Sequence, residues 1–332
     1  MSRKPVVLVT ENVDGPPLAR LESWCDVRRE PAVHREPAAL LRLAAQADAL
    51  IVRNETQVTR ELLAHAPRLA VVARAGVGLD NIDVEAAEEL GIVVTSAREE
   101  NAISVAEMTV GLILALARRL VPADAAARSG RWDRWSFIGT ELYGKTLGLL
   151  GLGRIGVRVA VRLRAFGMSI LAYDPFLRTS HPFVTESGAR LVSLAELLER
   201  ADVISVHLPY TPATRHLLDA AAFQKVRPGA LIVNTARGRI IDEAALIDAL
   251  RSGRVAGAAL DVRADEPPAV GELETFPNVI LTPHIAAFTR ESLARVTEVI
   301  VADVERVLRG EEALCAVGRR RPLRALRSEA RA

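Results

Sequence analysis

The hexapeptide Gly151-Leu152-Gly153-Arg154-Ile155-Gly156 constrains this 332-residue chain more than any other stretch, because of where it stands. It follows an apolar run at 146–150 that reads as a strand and opens an apolar-periodic segment at 155–166 that reads as a helix. In that context a G-x-G-x-x-G has a physical meaning that it lacks elsewhere. The first glycine permits a tight turn, the second lets backbone approach a pyrophosphate without a Cβ clash, and the third allows close helix–strand packing. Free N–H groups and the positive end of the helix dipole then face the phosphates. Asp174 stands eighteen residues after Gly156, at the end of the next predicted strand, 169–173. Its carboxylate suits hydrogen bonds from an adenosine ribose and repels a 2′-phosphate. NAD is therefore expected over NADP, with Arg178 nearby as the one opposing feature.

The rest of the chain alternates strand and helix patterns. Runs at 6–10, 49–52, 69–73 and 92–95 read as one series of strands; runs at 146–150, 169–173, 203–207, 231–234, 256–260 and 279–281 read as a second. Such alternation implies an α/β protein with doubly wound parallel sheets covered by helices on both faces. Between the series, 102–120 is apolar nearly all round and reads as one long buried or interface helix. A last amphipathic helix is expected at 289–308, and the economical place for it is against the first series.

With 50% hydrophobic and 25% charged residues, the composition is that of a globular protein of roughly two domains. Six arginines against Glu329 give residues 319–332 a charge of +5, which leaves −3 on the remainder, so no basic face for nucleic acid is expected. That tail reads as solvated and disordered. Two cysteines far apart, Cys25 and Cys315, suggest neither disulfides nor a thiolate metal site and fit a reducing compartment. The most apolar run, 108–117, is about half the roughly 20 residues a membrane span needs. A soluble cytoplasmic protein without metal is expected.

Several motifs in one order resemble the D-2-hydroxyacid dehydrogenases, most closely the phosphoglycerate dehydrogenase branch in a short form without a regulatory domain. They are Arg74-Ala-Gly-Val-Gly-Leu-Asp-Asn-Ile-Asp83, Asn101 with Val105-Ala-Glu107, Gly151 to Gly156, Asn234-Thr-Ala-Arg-Gly238, Asp261 through Glu266-Pro-Pro268, and Pro283-His-Ile-Ala286. The resemblance implies a Rossmann-like NAD domain, 99–286, inserted into a flavodoxin-like substrate domain, 1–98 with 287–318. It also implies a homodimer built on the 101–120 helix. It assigns cofactor contacts to Gly151, Gly153, Arg154, Ile155, Gly156 and Asp174, to His207, Leu208 and Pro209, to Thr235 and Ala236, and to Asp261 near the nicotinamide carboxamide. For His207 and Pro209, plain strand termination is the alternative.

Interconverting a 2-hydroxy and a 2-keto acid needs hydride transfer at C2, proton transfer at its oxygen and a cation for the carboxylate and carbonyl. His284, after the predicted strand at 279–281, suits reversible proton exchange near neutrality. Glu266 would pair with it and favour its charged form. Arg237 offers a planar fork for a carboxylate and for polarising the keto oxygen. By resemblance, the backbone of Gly76, Val77 and Gly78 cradles the carboxylate, where a simple turn is the alternative. Arg53, Arg74 and Arg134 resemble the arginines that bind a substrate phosphate; the alternatives are surface charges at Arg53 and Arg134 and loop ordering by Arg74. Such cations favour a doubly anionic substrate, 3-phosphoglycerate before sulfolactate, with hydroxypyruvate or glyoxylate reduction as a further option. An NAD(H)-sensing, corepressor-like binding protein is the competing class. Formate oxidation is disfavoured, because that branch carries glutamine where Glu266 stands.

Overall fold

The computed structural model describes residues 3–318; the arginine-rich segment 319–332, expected to be disordered, lies outside the described residues. The strands are β1 (Val6–Val9), β2 (Asp26–Arg29), β3 (Ala49–Val52), β4 (Val71–Arg74), β5 (Val93–Ser96), β6 (Thr146–Leu150), β7 (Ser169–Tyr173), β8 (Arg190–Leu191), β9 (Val203–Val206), β10 (Ala230–Asn234), β11 (Val255–Leu260), β12 (Val279–Leu281) and β13 (Ala316–Val317). They form two sheets, ordered β13-β5-β4-β3-β1-β2 and β12-β11-β10-β9-β6-β7-β8. The described residues divide into two compact units, 3–101 with 289–318, and Ala102–Phe288.

In the first unit the parallel strands follow the flavodoxin-like order, with the reversal at β1 and β3, which pair as Val7↔Ala49 and Val9↔Ile51. Because successive residues point to opposite faces, Val7, Val9, Ala49 and Ile51 enter one core while Leu8, Leu50 and Val52 enter the other. Both faces are thus covered, which explains the unbroken apolar runs. The helix Arg290–Leu308, capped by Thr289 Oγ1 accepting from Ser292 N at 3.1 Å, buries Val296, Ile300 and Val304 in this unit's core.

The second unit is wholly parallel and has the doubly wound order that reverses between β6 and β9. Leu147 and Leu149 face the core that contains the helix Ala102–Ala117; Leu150, Ile204 and Val206 face the opposite core. That helix packs on the helix Arg154–Arg164 and on β10 and β11.

Several expectations need correction. The helix expected over 102–120 stops at Ala117, because Arg119 takes a left-handed conformation with φ 53°, and a separate helix, Leu120–Arg128, follows. The first sheet is not purely parallel, since β13 pairs antiparallel with β5. Strands β2, β8 and β13 were not anticipated; all lie at or beside sheet edges, and β2 is charged while β8 and β13 have two residues each. Among the described residues, no helix is long and apolar enough to cross a membrane, and no cluster of three or more His, Cys, Asp or Glu side chains could hold a metal ion.

Candidate active site

In the second unit the turn after β6 shows what each glycine contributes. Gly151 has φ 93°, and a Cβ there would stand 2.6 Å from the His207 carbonyl oxygen. A Cβ on Gly156 would stand 2.5 Å from the Gly151 carbonyl oxygen. Both positions therefore require glycine for backbone packing. Gly153 differs: a Cβ there would meet nothing within 4 Å, so the start of the helix Arg154–Arg164 borders open space. A cradle bare of side chains at a helix N-terminus fits a pyrophosphate. Asp174 Oδ2 accepts from Leu152 N and Oδ1 from Phe176 N, both at 3.1 Å. Each oxygen can accept a further bond, as ribose hydroxyls require.

Of the other expected cofactor contacts, Ile155 packs partly into the core and Arg154 lies 5.3 Å over the Phe183 ring. His207 backs the turn with its main chain, its N–H donating to Leu150 O at 2.7 Å. Its Nε2 shares a hydrogen bond with Ser205 Oγ at 2.9 Å while Nδ1 is sealed from solvent without a partner. Burial pushes its pKa down to about 3, so the ring is neutral. Leu208 is half-buried, and exposed Pro209 accepts at its carbonyl from Thr214 Oγ1 at 2.7 Å.

Arg237 follows β10 in a turn braced by Asn234, whose Oδ1 accepts from Ala236 N at 3.0 Å and whose Nδ2 donates to Arg237 O at 2.9 Å. Thr235 Oγ1 meets Thr109 Oγ1 at 2.9 Å, tying the turn to the helix Ala102–Ala117. Gly238 packs so closely on the Arg263–Ala264 backbone that a Cβ would overlap it. Arg237 is half-buried and its Nη1 donates to Ala236 O at 2.7 Å. Asn234 was not singled out as a site residue; the available signal was an Asn at a strand end, where its side chain closes turns.

Asp261, just beyond β11, is 1% exposed and grips the loop after the neighbouring strand β12. Its Oδ1 accepts from Thr282 Oγ1 at 2.6 Å and Ile285 N at 2.9 Å, its Oδ2 from Ala286 N at 2.8 Å, and its carbonyl from His284 N at 2.8 Å. The carboxylate expected beside the nicotinamide thus has both oxygens engaged by residues 282–286. These bonds hold His284 at φ 54°, a conformation uncommon outside glycine. His284 Nδ1 meets Glu266 Oε2 at 2.7 Å, and Glu266 Oε1 accepts from Arg263 N at 3.1 Å. Burial raises the Glu266 pKa, but the bond and charge of His284, the Arg263 N–H and the Arg237 charge outweigh it and hold the carboxyl below its usual range. Arg263 steadies this loop through Glu243 at 3.0 Å and Glu274 at 2.6 Å, a brace that sequence reasoning missed.

Within the first unit, Arg53 follows β3, is half-buried, and reaches Asn12 O with Nη1 at 3.4 Å. Arg74 ends β4, is 8% exposed, and folds its guanidinium over Gly76, where a Cβ would overlap it. Val77 and Gly78 are half-buried. Arg134 belongs to the second unit and is exposed just before the short 3-10 turn Trp135–Phe137.

Residues 110–286 match the family model described as "D-isomer specific 2-hydroxyacid dehydrogenase, NAD binding domain". A D-3-phosphoglycerate dehydrogenase of Methanocaldococcus jannaschii is 46% identical over 307 residues, covering 92% of this chain and 58% of that relative. The chain thus spans little more than half the length of that relative. Among solved structures, the TT0316 protein of Thermus thermophilus has 38% identity and a TM-score of 0.87, over 94% of this chain and all of the other. A D-lactate dehydrogenase of Aquifex aeolicus, complexed with NAD and lactic acid, has 33% identity and a TM-score of 0.83, over 92% of this chain and 96% of the other. With a strand-turn-helix cradle, an imidazole–carboxylate pair and these relatives together, the chain belongs to the D-isomer-specific 2-hydroxyacid dehydrogenase family.

Proposed function

We propose that this chain is an NAD-dependent dehydrogenase that interconverts a small anionic D-2-hydroxy acid and its 2-keto acid, with 3-phosphoglycerate as the leading substrate. The observation that carries the reading is the 2.7 Å His284–Glu266 pair in the unit that matches an NAD binding domain. Gly151, Gly153, Gly156 and Asp174 would hold the dinucleotide, with Arg154, Ile155, His207, Leu208, Pro209, Thr235, Ala236 and Asp261 lining its path. When bound, the nicotinamide supplies or accepts the hydride at C2.

The proton belongs to His284. With Nδ1 bonded to Glu266, Nε2 gives its proton to the keto oxygen in reduction and takes it back in oxidation. Ionised Glu266 steadies the charged ring and fixes which nitrogen faces the reaction. Arg237 provides a fixed cation that stabilises the negative charge developing on the substrate oxygen and can hold the carboxylate. Arg53, Arg74, Arg134 and the backbone of Gly76, Val77 and Gly78 are the proposed binders of substrate anions.

A second reading, glyoxylate or hydroxypyruvate reduction, is favoured by the burial of Arg74. At 8% exposure and folded over Gly76, this guanidinium suits ordering its own loop better than reading a distal phosphate. A kinetic screen at 340 nm with NAD(H) and NADP(H) against 3-phosphoglycerate, D-glycerate, glyoxylate, D-lactate and sulfolactate separates the two. High kcat/KM for a doubly anionic substrate with NAD supports the first; preference for glyoxylate supports the second; no turnover with any of them favours a dinucleotide-sensing binding protein.

The assembly is proposed to be a homodimer in the cytoplasm. Much of the helix Ala102–Ala117 is used within its own unit, but Ile103, Leu120, Val121, Trp132 and Trp135 stay exposed in and after it, an apolar surface that suits a second copy. Sedimentation of the wild type and of Trp135→Glu tests this: a dimer weakened by the substitution is expected.

A further inference from the structure

We infer that Glu11 is a positioning residue that holds Arg53 ready for an anionic substrate, with Asn81 closing the same turn from the other side. The inference rests on the reading of Arg53 as an anion-binding residue. Glu11 lies two residues beyond β1 and is 5% exposed. A carboxylate is costly to bury unless its oxygens are hydrogen-bonded. Here Oε1 accepts from Arg53 N at 2.7 Å and Thr56 N at 3.0 Å, and Oε2 from Glu55 N at 3.0 Å. From the other side Asn81, 9% exposed, donates through Nδ2 to Arg53 O at 2.8 Å and Thr56 O at 2.7 Å. The Thr56 hydroxyl, itself buried, meets Thr10 Oγ1 at 2.7 Å. Two side chains thus fix five main-chain polar groups of the turn 53–56.

The position of this clamp points beyond turn closure. Strands β1 and β3 are neighbours at the point where the strand order of the first sheet reverses, with β2 on the far side of β1. Loops at the carboxyl ends of strands flanking such a point are where ligands bind in open α/β sheets. Arg53 begins the clamped turn, and its guanidinium reaches back to the carbonyl of Asn12, the residue after Glu11. Asn81 follows the Gly76–Gly78 segment by three residues, and its carbonyl accepts from Val58 N at 2.8 Å beside the short parallel bridge Val58↔Ile82. Asn81 therefore ties the turn that begins at Arg53 to the segment that follows the other loop proposed to bind anions. Hydrogen bonds to the carboxylate hold the Glu11 pKa below its usual range in spite of burial, so the clamp is charged at neutral pH.

The test is steady-state kinetics of the full chain with NAD and 3-phosphoglycerate or D-lactate, for wild type, Glu11→Gln, Glu11→Asp, Arg53→Ala and the Glu11→Gln/Arg53→Ala double variant. Amide hydrogen exchange at residues 53–56 is followed on the same samples. Glu11→Gln puts an NH2 group among three N–H donors, so it should raise KM for 3-phosphoglycerate about 10-fold or more. Its kcat should stay within about twofold, D-lactate should be little affected, and exchange at 53–56 should accelerate. The double variant should match Arg53→Ala alone. A normal KM in Glu11→Gln beside a raised KM in Arg53→Ala overturns the inference and leaves the reading of Arg53 standing. An Arg53→Ala enzyme unchanged on both substrates removes that reading and the inference with it. Should Glu11→Gln fail to fold, Glu11→Asp decides: an intermediate KM supports positioning, and equal kcat losses on both substrates overturn it. Exchange needs no turnover, so unprotected amides in the wild type, or unchanged protection in Glu11→Gln, refute the clamp whatever the substrate.

Discussion

Asp261 in the second unit and Glu11 in the first are the same device put to different uses. Each is a buried carboxylate just past the end of a parallel strand, and each accepts main-chain N–H groups from the loop after the neighbouring strand, β12 for Asp261 and β3 for Glu11. Asp261 fixes residues 282–286 and so the backbone of His284, the proposed proton donor. Glu11 fixes 53–56 and so the backbone of Arg53, a proposed binder of substrate charge. A strand end thus carries two kinds of residue: one proposed to meet substrate, and a buried anion one strand away that sets its geometry. The comparison predicts that damage to the first clamp appears in kcat and damage to the second in KM.

The largest effect expected on this comparison is at Asp261. In Asp261→Asn an NH2 group replaces one acceptor among Thr282, Ile285 and Ala286, leaving buried donors unsatisfied. Such a loss costs about 1–3 kcal/mol, so kcat should fall by about 10- to 100-fold. A change confined to the KM of the acid would break the distinction between the two clamps. Next comes Gly238→Ala, which tests a loop held by close backbone packing rather than by a carboxylate. Overpacking against Arg263 and Ala264 should cost about 1–3 kcal/mol of stability, read as a lower melting temperature. An unchanged melting temperature would mean that the 234–238 turn moves aside freely.

The smallest effect expected is the acid-side stability of Glu266. Its folded-state pKa lies below the ordinary 4.5, so its contribution is present above that value and is lost as pH falls through the folded pKa. The stability advantage of wild type over Glu266→Gln, from urea midpoints between pH 7 and 3.5, should therefore shrink on acidification. Glu11→Gln should show the same sign, since the Glu11 pKa is also lowered. A gap that widens in acid would reverse the electrostatic account of both groups.

What could be read from sequence follows the same physics. Strands β3, β6, β7 and β12 were legible to the residue, since their apolar runs end at Gly151, Asp174 or similar turn residues. Strand β2, Asp-Val-Arg-Arg at a sheet edge, carries no such signal because its side chains are largely solvated. The end of the helix at Ala117 was hidden because the backbone reversal falls on an arginine, Arg119, rather than on glycine or proline. In the site, many residues that would touch ligand sit in recognisable motifs. Their supports were harder to read: Asn234 closes its own turn from inside a motif, but Glu11, Asn81 and Arg263 act through hydrogen bonds and ion pairs to other segments of the chain, and nothing local in the sequence announces those partners.

His284, held by Asp261 and Glu266, is proposed to move the proton in a dehydrogenase reaction. Single-turnover loss of NADH absorbance with the keto acid identified by the screen, for wild type and His284→Ala with NADH affinity measured on the same samples, tests it most directly. A fall of about 10²- to 10⁴-fold in the rate, with NADH affinity unchanged, is expected. A His284→Ala enzyme that turns over at near the wild-type rate would contradict it.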